Sequence, residues 1–263
     1  AVSMARLRGQ IGIVTASTKG IGLSIARRLA QDGAKVIVSS RKADNVESAV
    51  KDMKTQGLDV IGVPAHVGKE EGRKALVDAA KELGGLNFLV SNAAANPFFG
   101  PILDTPKDMW EKTFDTNVTA TFELVKACLP MLETTAQQNE SPIQASSVVI
   151  VASIAGYLPL PGLGCYNVTK TALIGLTKNL ALELSGRRIR VNAICPGIVK
   201  TDFSQALWDN EKILKATLKQ IPAGRIAEPD EMAGTASFLV STDSEYLTGE
   251  SLIVSGGMAA QRL

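Results

Sequence analysis

Apolar positions along the chain alternate between short continuous runs and longer stretches with helical spacing. Runs such as Ile11–Thr15 and Ser147–Ser153 contain an uninterrupted apolar core, which is typical of strands buried on both faces of a parallel sheet. Between such runs, stretches such as Gly22–Asp32 place their apolar residues on one helical face. The pattern therefore predicts strands that alternate with helices.

Seven strands and six helices follow from this pattern. The predicted strands are Ile11–Thr15, Lys35–Ser40, Val60–Val67, Asn87–Ala93, Ser147–Ser153, Ile189–Cys195 and Leu252–Ser255. The predicted helices are Gly22–Asp32, Asp44–Gln56, Glu70–Leu83, Pro106–Leu132, Tyr166–Leu184 and Pro229–Leu239. We expect Gly33 to follow the end of the first helix, Asp44 or Asn45 to cap the second, and the polar stretch Glu133–Ala145 to form a surface loop.

This alternation indicates the α/β class, with right-handed crossovers and a Rossmann-type, doubly wound, mainly parallel sheet. No composition shift or linker divides the sequence, so we predict one domain over residues 1–263 with a substrate loop at about 200–225. Ligands of such sheets bind beyond the carboxyl ends of the strands. Functional residues should therefore follow strands.

Composition excludes several classes of function. The chain has 263 residues, 45% of them hydrophobic, with 28 basic and 26 acidic residues. That balance excludes a disordered chain and argues against electrostatic binding of nucleic acid. The single histidine, His66, and the scattered Cys128, Cys165 and Cys195 predict no metal site, and Ser-His-Asp hydrolysis only if His66 is the base. An odd number of cysteines favours a reducing compartment.

Targeting and membrane signals are weak. Residues 1–10 lack the apolar stretch of a secretory signal. No residue from Ser141 to Thr169 is charged, but Pro142, Pro159 and Pro161 interrupt this window. We therefore expect a buried strand and a loop there, with no membrane span.

A glycine-containing turn, TASTKGIG, joins the first strand to the first helix. Backbone N–H groups at a helix N-terminus suit a pyrophosphate, although a tight turn with packing glycines is the alternative. The candidate cofactor residues in this turn are Thr15, Ser17, Lys19, Gly20, Ile21 and Gly22.

The second strand ends in Ser40, Arg41 and Lys42, and no acidic residue occurs before Asp44. Enzymes that prefer NAD usually carry an acid here for the ribose hydroxyls. The planar fork of Arg41, with Lys19 and Lys42 nearby, instead suits a 2′-phosphate. The pattern favours NADP(H), with a solvated basic turn as the alternative.

Tyr166 and Lys170 are four residues apart on a predicted helix and share a face. A nearby ammonium favours phenolate, so we expect Lys170 to lower the pKa of Tyr166 towards the useful range. Ser153 ends the fifth strand, and Asn117 lies inside a long predicted helix where asparagine is a weak helix former. The alternative for Tyr166 and Lys170 is an ordinary surface pair. The alternative for Ser153 is a cap residue, and the alternative for Asn117 is an exposed helix residue.

Taken together, these motifs resemble the short-chain dehydrogenase/reductase family from the Thr15–Gly22 turn to the last strand. Asn117, Ser153, Tyr166 and Lys170 match its catalytic tetrad. The segments Ser91–Ala94 and Pro196–Thr201 match two further family stretches, the second of which meets the nicotinamide. Ala16 and His66 depart from the family, which usually has glycine and aspartate there. Segments 39–42, 66–69, 91–100 and 166–168 are similar to a largely peroxisomal group of NADPH-dependent carbonyl reductases in this family.

This resemblance implies reduction of a small-molecule carbonyl, with hydride from NADPH and a proton from Tyr166. It implies that Ser153 holds the carbonyl oxygen, Lys170 holds the ribose hydroxyls, and Asn117 orders a water for a proton relay. Further cofactor residues are then His66, Val67, Asn92, Ala93, Pro196, Gly197, Val199 and Thr201. The expected substrate pocket comprises Ser153, Leu158, Leu160, Leu163, Phe203, Leu207 and Trp208.

The resemblance also implies a homotetramer built on the Tyr166 helix and the long helix before it, with a deep monomeric core as the alternative reason for their apolar residues. The tail Gln261-Arg262-Leu263 is similar to a peroxisomal tripeptide, so we expect a peroxisomal location, with the cytoplasm as alternative. A competing function is reduction of a 3-oxoacyl thioester, for which Arg187–Arg190 is the compact basic run. A non-catalytic cofactor-binding protein is the third possibility, against which the complete tetrad argues.

Overall fold

The computed structural model describes residues 6–138 and 145–261, and a seven-stranded sheet forms its centre. Its strands are Ile11–Val14 (β1), Lys35–Ser40 (β2), Val60–Pro64 (β3), Phe88–Ser91 (β4), Ser146–Val151 (β5), Ile189–Pro196 (β6) and Ser251–Val254 (β7). The strand order is β3-β2-β1-β4-β5-β6-β7, and all six pairings are parallel. The predicted fold class is confirmed.

Helices cover both faces of this sheet. They are Gly20–Gln31 (α1), Ala43–Thr55 (α2), Glu70–Glu82 (α3), Lys107–Phe114 (α4), Ala120–Gln138 (α5), Gly164–Leu184 (α6), Glu211–Leu218 (α7) and Asp230–Val240 (α8). Apolar residues of α1, α2 and α8, such as Leu29, Met53 and Leu239, share one buried cluster with the sheet. Those of α3, α5 and α6, such as Leu76 and Leu124, share the other. The burial of both faces explains why the strands are apolar at nearly every position.

The strand order reverses between β1 and β4, because the chain runs outward to β2 and β3 and then returns to the other side of β1. A crevice opens at such a switch point, beyond the carboxyl ends of the strands. Thr15 after β1 and Asn92 after β4 flank it. The fold therefore brings the glycine turn and the segment after β4 together.

The long helix predicted over Pro106–Leu132 is interrupted and then extended. A π turn, Asp115–Thr119, separates α4 from α5, and α5 continues to Gln138. The prediction of a loop was therefore wrong for the residues between Glu133 and Gln138. The helix persists because Ala136 stays buried and the hydroxyl of Thr134 bonds back to the Pro130 carbonyl. Residues 139–144 of that expected loop lie outside the described residues.

Helix ends differ from the expectations in one case. Gly33 follows the C-cap of α1 with a φ of 99°, as predicted. The predicted cap by Asp44 or Asn45 was wrong, because Lys42 is the N-cap of α2 and no side chain caps it. Helix α7 was not predicted; the side chain of Asn210 caps it by accepting from the N–H groups of Lys212 and Ile213.

Within the described ranges, no helix has the length and hydropathy needed to span a membrane. The same residues contain no cluster of three or more His, Cys, Asp or Glu side chains suited to a metal ion. Cys128, Cys165 and Cys195 are buried and unpaired, and burial raises the pKa of Cys128 to about 12.

Candidate active site

The glycine turn is tied to the end of β4 by side-chain hydrogen bonds. The Thr15 hydroxyl accepts from the N–H groups of Asn92, at 2.9 Å, and Ala93, at 3.3 Å. The Asn92 amide nitrogen donates to the carbonyls of Thr15, at 3.1 Å, and Ala16, at 3.2 Å. These four bonds fix the turn across the switch point of the sheet.

The backbone of the turn forms a cradle at the N-terminus of α1. Ala16 and Gly20 have positive φ angles of 49° and 56°. A Cβ on Gly22 would lie 2.4 Å from the Ala16 carbonyl oxygen and 2.5 Å from the Asn92 amide nitrogen. No side chain caps α1, whose N-cap is Lys19. Uncapped N–H groups in such a concave backbone fit a phosphate group.

Ser17 connects the same turn to β2. Its buried hydroxyl donates to the Val14 carbonyl at 2.6 Å and accepts from the Ser39 N–H at 2.9 Å. The end of β2 is thus held beside the turn, with Ser40 half-buried and Arg41 exposed. The two cationic residues that follow β2, Arg41 and Lys42, are therefore free to meet a ligand that lies on the turn.

The Lys19 side chain points towards Asp202, whereas the sequence suggested a place near Arg41. Its ammonium lies 2.7 Å from Oδ2 of Asp202, and this hydrogen bond lowers the pKa of the Asp202 carboxyl. A Cβ on Gly20 would lie 3.2 Å from Cγ2 of Thr201. The glycine turn therefore faces the Thr201–Asp202 segment, and the Lys19 charge is directed there.

His66 and Val67 follow β3, which ends at Pro64 and is shorter than predicted. Nδ1 of the exposed His66 accepts the N–H of Gly68 at 3.1 Å. The Val67 carbonyl accepts from Arg73 at 2.8 Å. This segment lies beyond the carboxyl end of the sheet, but its side-chain contacts are local.

Ser153, Tyr166 and Lys170 come together beyond the carboxyl end of β5. Ser153 begins a short 3₁₀ turn after β5, and its hydroxyl accepts the Ala155 N–H at 3.1 Å. Tyr166 and Lys170 lie on the first turns of α6, and the Lys170 ammonium is 5.4 Å from the Tyr166 ring centroid. The ammonium also donates to the Val151 carbonyl at 2.8 Å. The structure therefore assembles the three residues at the predicted edge of the sheet.

Burial shifts the pKa values of Tyr166 and Lys170. It raises the pKa of Tyr166 to about 12, although a hydrogen bond with the Ser153 side chain acts in the lowering direction. It lowers the pKa of Lys170 to about 8. The expectation that the pKa of Tyr166 is lowered towards neutrality was therefore wrong for the protein alone, because desolvation of the buried phenol is the largest effect.

Asn117 lies in the π turn and is completely buried. Its Oδ1 accepts the Ala95 N–H at 2.7 Å, and its Nδ2 donates to the Ala95 carbonyl at 3.0 Å and to the Thr169 hydroxyl at 3.0 Å. The side chain thus joins the segment after β4 to α6. These bonds explain an asparagine inside a helical region.

The segment Pro196–Thr201 lies opposite the glycine turn. Gly197 donates to the Val254 carbonyl at 2.8 Å, and a Cβ on it would lie 2.8 Å from Cα of Ser255. Val199 forms an isolated parallel bridge with Ala227. The segment is therefore fixed against β7 and the chain before α8.

The predicted pocket residues divide into two groups. The Phe203 ring is 55% exposed and lies 5.6 Å from the Tyr166 ring, and the Trp208 indole N–H donates to the Ser204 hydroxyl at 3.1 Å. Leu158 is buried in an apolar cluster against which Leu160 and Leu207 also pack. Phe203 thus lies beside the Tyr166 ring, whereas Leu158 belongs to the buried cluster.

Phe99 and Ile102, two apolar side chains beside the loop before Tyr166, were not among the residues predicted from the sequence. Cβ atoms on Gly162 and Gly164 would lie 2.6 Å from Phe99 and 2.5 Å from Ile102, so these side chains rest on the loop before Tyr166, where Leu163 is the N-cap of α6. Phe99 is 64% exposed. The available signal was the Phe98-Phe99-Gly100 sequence, an apolar run followed by glycine in a loop after a strand.

The basic run Arg187–Arg190 lies at the opposite edge of the sheet, where β6 begins. Arg187 pairs with Glu133 at 3.1 Å. Arg190 is buried and donates to the carbonyls of Leu239, at 2.9 Å, and Ser241, at 3.2 Å, which end α8. Arg187 and Arg190 therefore have structural partners and are distant from Tyr166 in the fold.

Known proteins are similar to this chain over most of its length. A family model described as enoyl-(acyl carrier protein) reductase matches residues 15–259. Dehydrogenase/reductase SDR family member 4 of Oryctolagus cuniculus is 51% identical over 252 residues, covering 95% of this chain and 94% of that protein. The similarity inferred from the segments around Ser39, Ser91 and Tyr166 is to this member, and it is confirmed.

Solved structures agree with the fold. A Pseudomonas aeruginosa RhlG/NADP active-site complex has a TM-score of 0.90 and 32% identity, covering 98% of this chain and 99% of that chain. A gluconate 5-dehydrogenase from Burkholderia cenocepacia, in complex with NADP and tartrate, has a TM-score of 0.90 and 26% identity, covering 98% of both chains.

Proposed function

This chain belongs to the short-chain dehydrogenase/reductase family of oxidoreductases, and we propose that it is an NADPH-dependent carbonyl reductase. Its substrates would be ketones, α-dicarbonyls or aldehydes such as retinal. The observation that carries the proposal is the buried Ser153–Tyr166–Lys170 group, placed beyond β5 beside an apolar opening. A phenol beside a hydroxyl suits donation of a proton to a carbonyl oxygen.

NADP(H) is the cofactor of this chain, in line with similar solved structures that hold NADP. The residues present fit it. The uncapped N-terminus of α1 with its positive-φ turn would hold the pyrophosphate. Arg41 follows β2 where no acidic residue stands, so its planar guanidinium would bind the 2′-phosphate. Asn92 holds the turn, and the Pro196–Thr201 segment would lie along the nicotinamide side.

When bound, NADPH would supply a hydride for the carbonyl carbon. Tyr166 gives its proton to the carbonyl oxygen, and the Ser153 hydroxyl holds the same oxygen. The phenol is protonated at neutral pH with its ordinary pKa as well as with the raised one, so the proton to be given is present. Lys170 would hold the ribose hydroxyls, and Asn117 would order a water through which the proton is replaced.

The exposed aromatic rings near Tyr166 support an apolar substrate. Phe203 contacts the Tyr166 ring from one side, and Phe99 lies on the loop before Tyr166. Both rings keep more than half of their surface accessible. A carbonyl compound with a ring or alkyl group beside the reacting carbon would bury this area.

Reduction of a 3-oxoacyl thioester is the second candidate, in line with the acyl-carrier name of the matching family model. It needs a basic surface near the site for the carrier or coenzyme phosphates. The run 187–190 lies at the other edge of the sheet, where Arg187 pairs with Glu133 and Arg190 is bonded to the end of α8. The structure therefore favours the free carbonyl compound.

The decisive experiment is a steady-state panel of aryl ketones, diketones, retinal and acetoacetyl-CoA with NADPH and with NADH. We expect reduction of the ketones and diketones with NADPH, and little turnover of the thioester. Arg41→Asp should weaken NADPH binding about tenfold or more and change NADH binding little, since one charge-assisted contact is lost. Lys51→Asp, on the exposed side of α2, is the matched control. Preference for the thioester would reject carbonyl reductase as the function. An equal loss of affinity for NADPH and NADH in Arg41→Asp would reject Arg41 as the residue that binds the 2′-phosphate.

Assembly and location are further parts of the proposal. Phe122 on α5 and Leu182 on α6 are apolar and exposed, which supports a homotetramer through these helices. The tail Gln261-Arg262-Leu263 supports a peroxisomal location, with the cytoplasm as the alternative. Arg262 and Leu263 lie outside the described residues.

A further inference from the structure

Thr169 is a buried residue for which the reaction described above has no use. It lies on α6 between Tyr166 and Lys170 and is completely buried. Its hydroxyl donates to the Tyr166 carbonyl at 2.7 Å and accepts from Nδ2 of Asn117 at 3.0 Å. The hydroxyl therefore bridges the catalytic helix and the π turn.

The Asn117 amide has a defined orientation. Nδ2 uses its two protons on the Ala95 carbonyl and the Thr169 hydroxyl, and Oδ1 accepts the Ala95 N–H. Reversing the amide would break all three bonds. Ala95 holds this side chain against the segment after β4, and Thr169 is the partner that lies on the helix of Tyr166 and Lys170.

A second threonine holds the other side of the turn. The Thr121 hydroxyl donates to the Asn117 carbonyl at 2.8 Å and lies 3.1 Å from the Ser91 hydroxyl. Since the Thr121 proton goes to Asn117, Ser91 donates to Thr121. A π turn is a rare backbone form that often accompanies functional sites, and here side-chain bonds from β4, α5 and α6 hold it.

We propose that Thr169 is a positioning residue whose hydroxyl sets the place of Asn117 relative to Tyr166 and Lys170, and thereby controls proton transfer. The catalytic part rests on the proposed carbonyl reduction. Without a hydroxyl at this position, one Nδ2 proton of Asn117 loses its acceptor in a fully buried place. The turn then moves or opens and displaces Asn117. A small displacement of a catalytic group lowers the reaction rate strongly.

The experiment compares Thr169→Val, Thr169→Ser and Thr177→Val with the unaltered protein. Valine keeps the shape and removes the hydroxyl, whereas serine keeps the hydroxyl. Thr177 is the matched control: it is also buried on α6, and its hydroxyl donates to the Leu173 carbonyl on the same helix at 2.8 Å. Measurements are kcat and KM for an aryl ketone, Kd for NADPH, the pH profile of kcat, and hydrogen exchange of amides 115–120.

We expect Thr169→Val to lower kcat about ten- to hundredfold and to shift its pH profile, with KM and Kd within about threefold. Thr169→Ser should recover kcat to within about threefold of the unaltered protein, and Thr177→Val should change it by less than about twofold. Exchange of amides 115–120 should be faster in Thr169→Val alone.

Equal effects of Thr169→Val and Thr177→Val on kcat, or a loss of NADPH binding parallel to the loss of kcat, would overturn the proposal. Unchanged exchange of amides 115–120 in Thr169→Val would overturn it as well. The exchange measurement does not depend on turnover. If the unaltered protein reduces no carbonyl compound, the proposed function fails, and exchange still decides whether Thr169 holds the turn.

Discussion

Tyr166 and Lys170 titrate in opposite directions because both are buried. Burial disfavours the charged form of each, which raises the pKa of the phenol and lowers that of the amine. At neutral pH the phenol holds its proton, as it also would with its ordinary pKa of about 10, and the raised pKa makes it a weaker acid. Lys170, with a pKa of about 8, remains mostly charged there and retains its attraction for the hydroxyls that it is proposed to hold.

Tyr166→Phe should lower kcat by about a hundredfold or more, since it removes the group that gives the proton. NADPH binding should remain, because the ring and its contact with Phe203 are retained. Measurement of kcat and of NADPH affinity by fluorescence checks both statements. Tyr246→Phe, at a fully exposed tyrosine, is the control, and substantial remaining ketone reduction in Tyr166→Phe would contradict the role of Tyr166.

Lys170→Met should change how stability depends on pH. The Lys170 pKa is about 8 in the folded protein and ordinarily about 10.5, so between these values the unfolded chain binds the extra proton. The stability of the unaltered protein relative to Lys170→Met should therefore rise as pH increases from 8 to 10.5, by at most about 1.4 kcal/mol per pH unit.

The comparison with Lys170→Met is necessary because other buried groups act in the same range. The pKa of Cys195 is raised to about 11, which makes the folded protein less stable as pH rises from 9 to 11. Because Lys170 itself lowers the pKa of Cys195, this contribution is the same in both proteins only below about pH 9, where Cys195 is protonated in both, and the comparison is therefore made between pH 8 and 9. Denaturant unfolding at several pH values checks the prediction, and a flat difference would show that Lys170 does not titrate near 8.

Gly22 determines how closely α1 approaches the turn and the end of β4. Gly22→Ala should raise the Kd for NADPH about tenfold or more and lower the melting temperature, since the new Cβ would overlap the Ala16 carbonyl and the Asn92 amide. Isothermal titration and thermal unfolding measure the two effects. Gly186→Ala has open space around its new Cβ and should change neither, and an unaltered NADPH affinity in Gly22→Ala would remove the turn from the cofactor site.

Elements with strong periodicity were predicted well from the sequence. The bounds of Lys35–Ser40 agree with β2, and the predicted end of the Tyr166 helix, Leu184, agrees with α6. The local sequence pattern gave wrong element bounds where contacts with distant parts of the chain determine where an element ends. Helix α5 continues beyond Leu132 because Ala136 reaches the core and the Thr135 hydroxyl accepts the Leu86 N–H at 3.1 Å.

The candidate site shows the same limit. The spacing of Tyr166 and Lys170 and the glycine turn were visible in the sequence, because one helix and one turn carry them. The roles of Thr169 and Phe99 were not visible. Their partners, Asn117 and Gly162, are far away in sequence, and only the fold brings them together.

At the scale of the whole molecule, the two edges of the sheet differ in chemistry. The carboxyl edge gathers the glycine turn, Arg41, Ser153 and the Pro196–Thr201 segment, all of which follow strands. At the amino edge, Arg190 is buried against the carbonyls that end α8, and burial lowers its pKa to about 10. Arg190 therefore serves the fold at one edge, whereas Arg41 at the other edge is the residue that we propose to bind a phosphate.

The outer side of α5 and α6 carries apolar surface that the proposed catalytic site does not use. Leu173, Ile174 and Ala181 of α6 are buried in the core, whereas Leu182 is 80% exposed and Phe122 of α5 is 42% exposed. Exposed leucine on a long helix suits burial against another protein surface. A second copy of this helix pair is the occupant that we propose.

Leu182→Glu should therefore convert the proposed tetramer to smaller species, because a buried unpaired carboxylate opposes association. Light scattering during size exclusion gives the mass, and a melting temperature that rises with protein concentration gives independent support for coupled association and folding. Leu103→Glu introduces the same charge at a 95% exposed leucine before α4 and should leave the mass unchanged. Since Leu182 makes little contact within its own subunit, its substitution should not unfold the chain. A monomeric unaltered protein, or a tetramer that survives Leu182→Glu, would show that this helix face is not the interface.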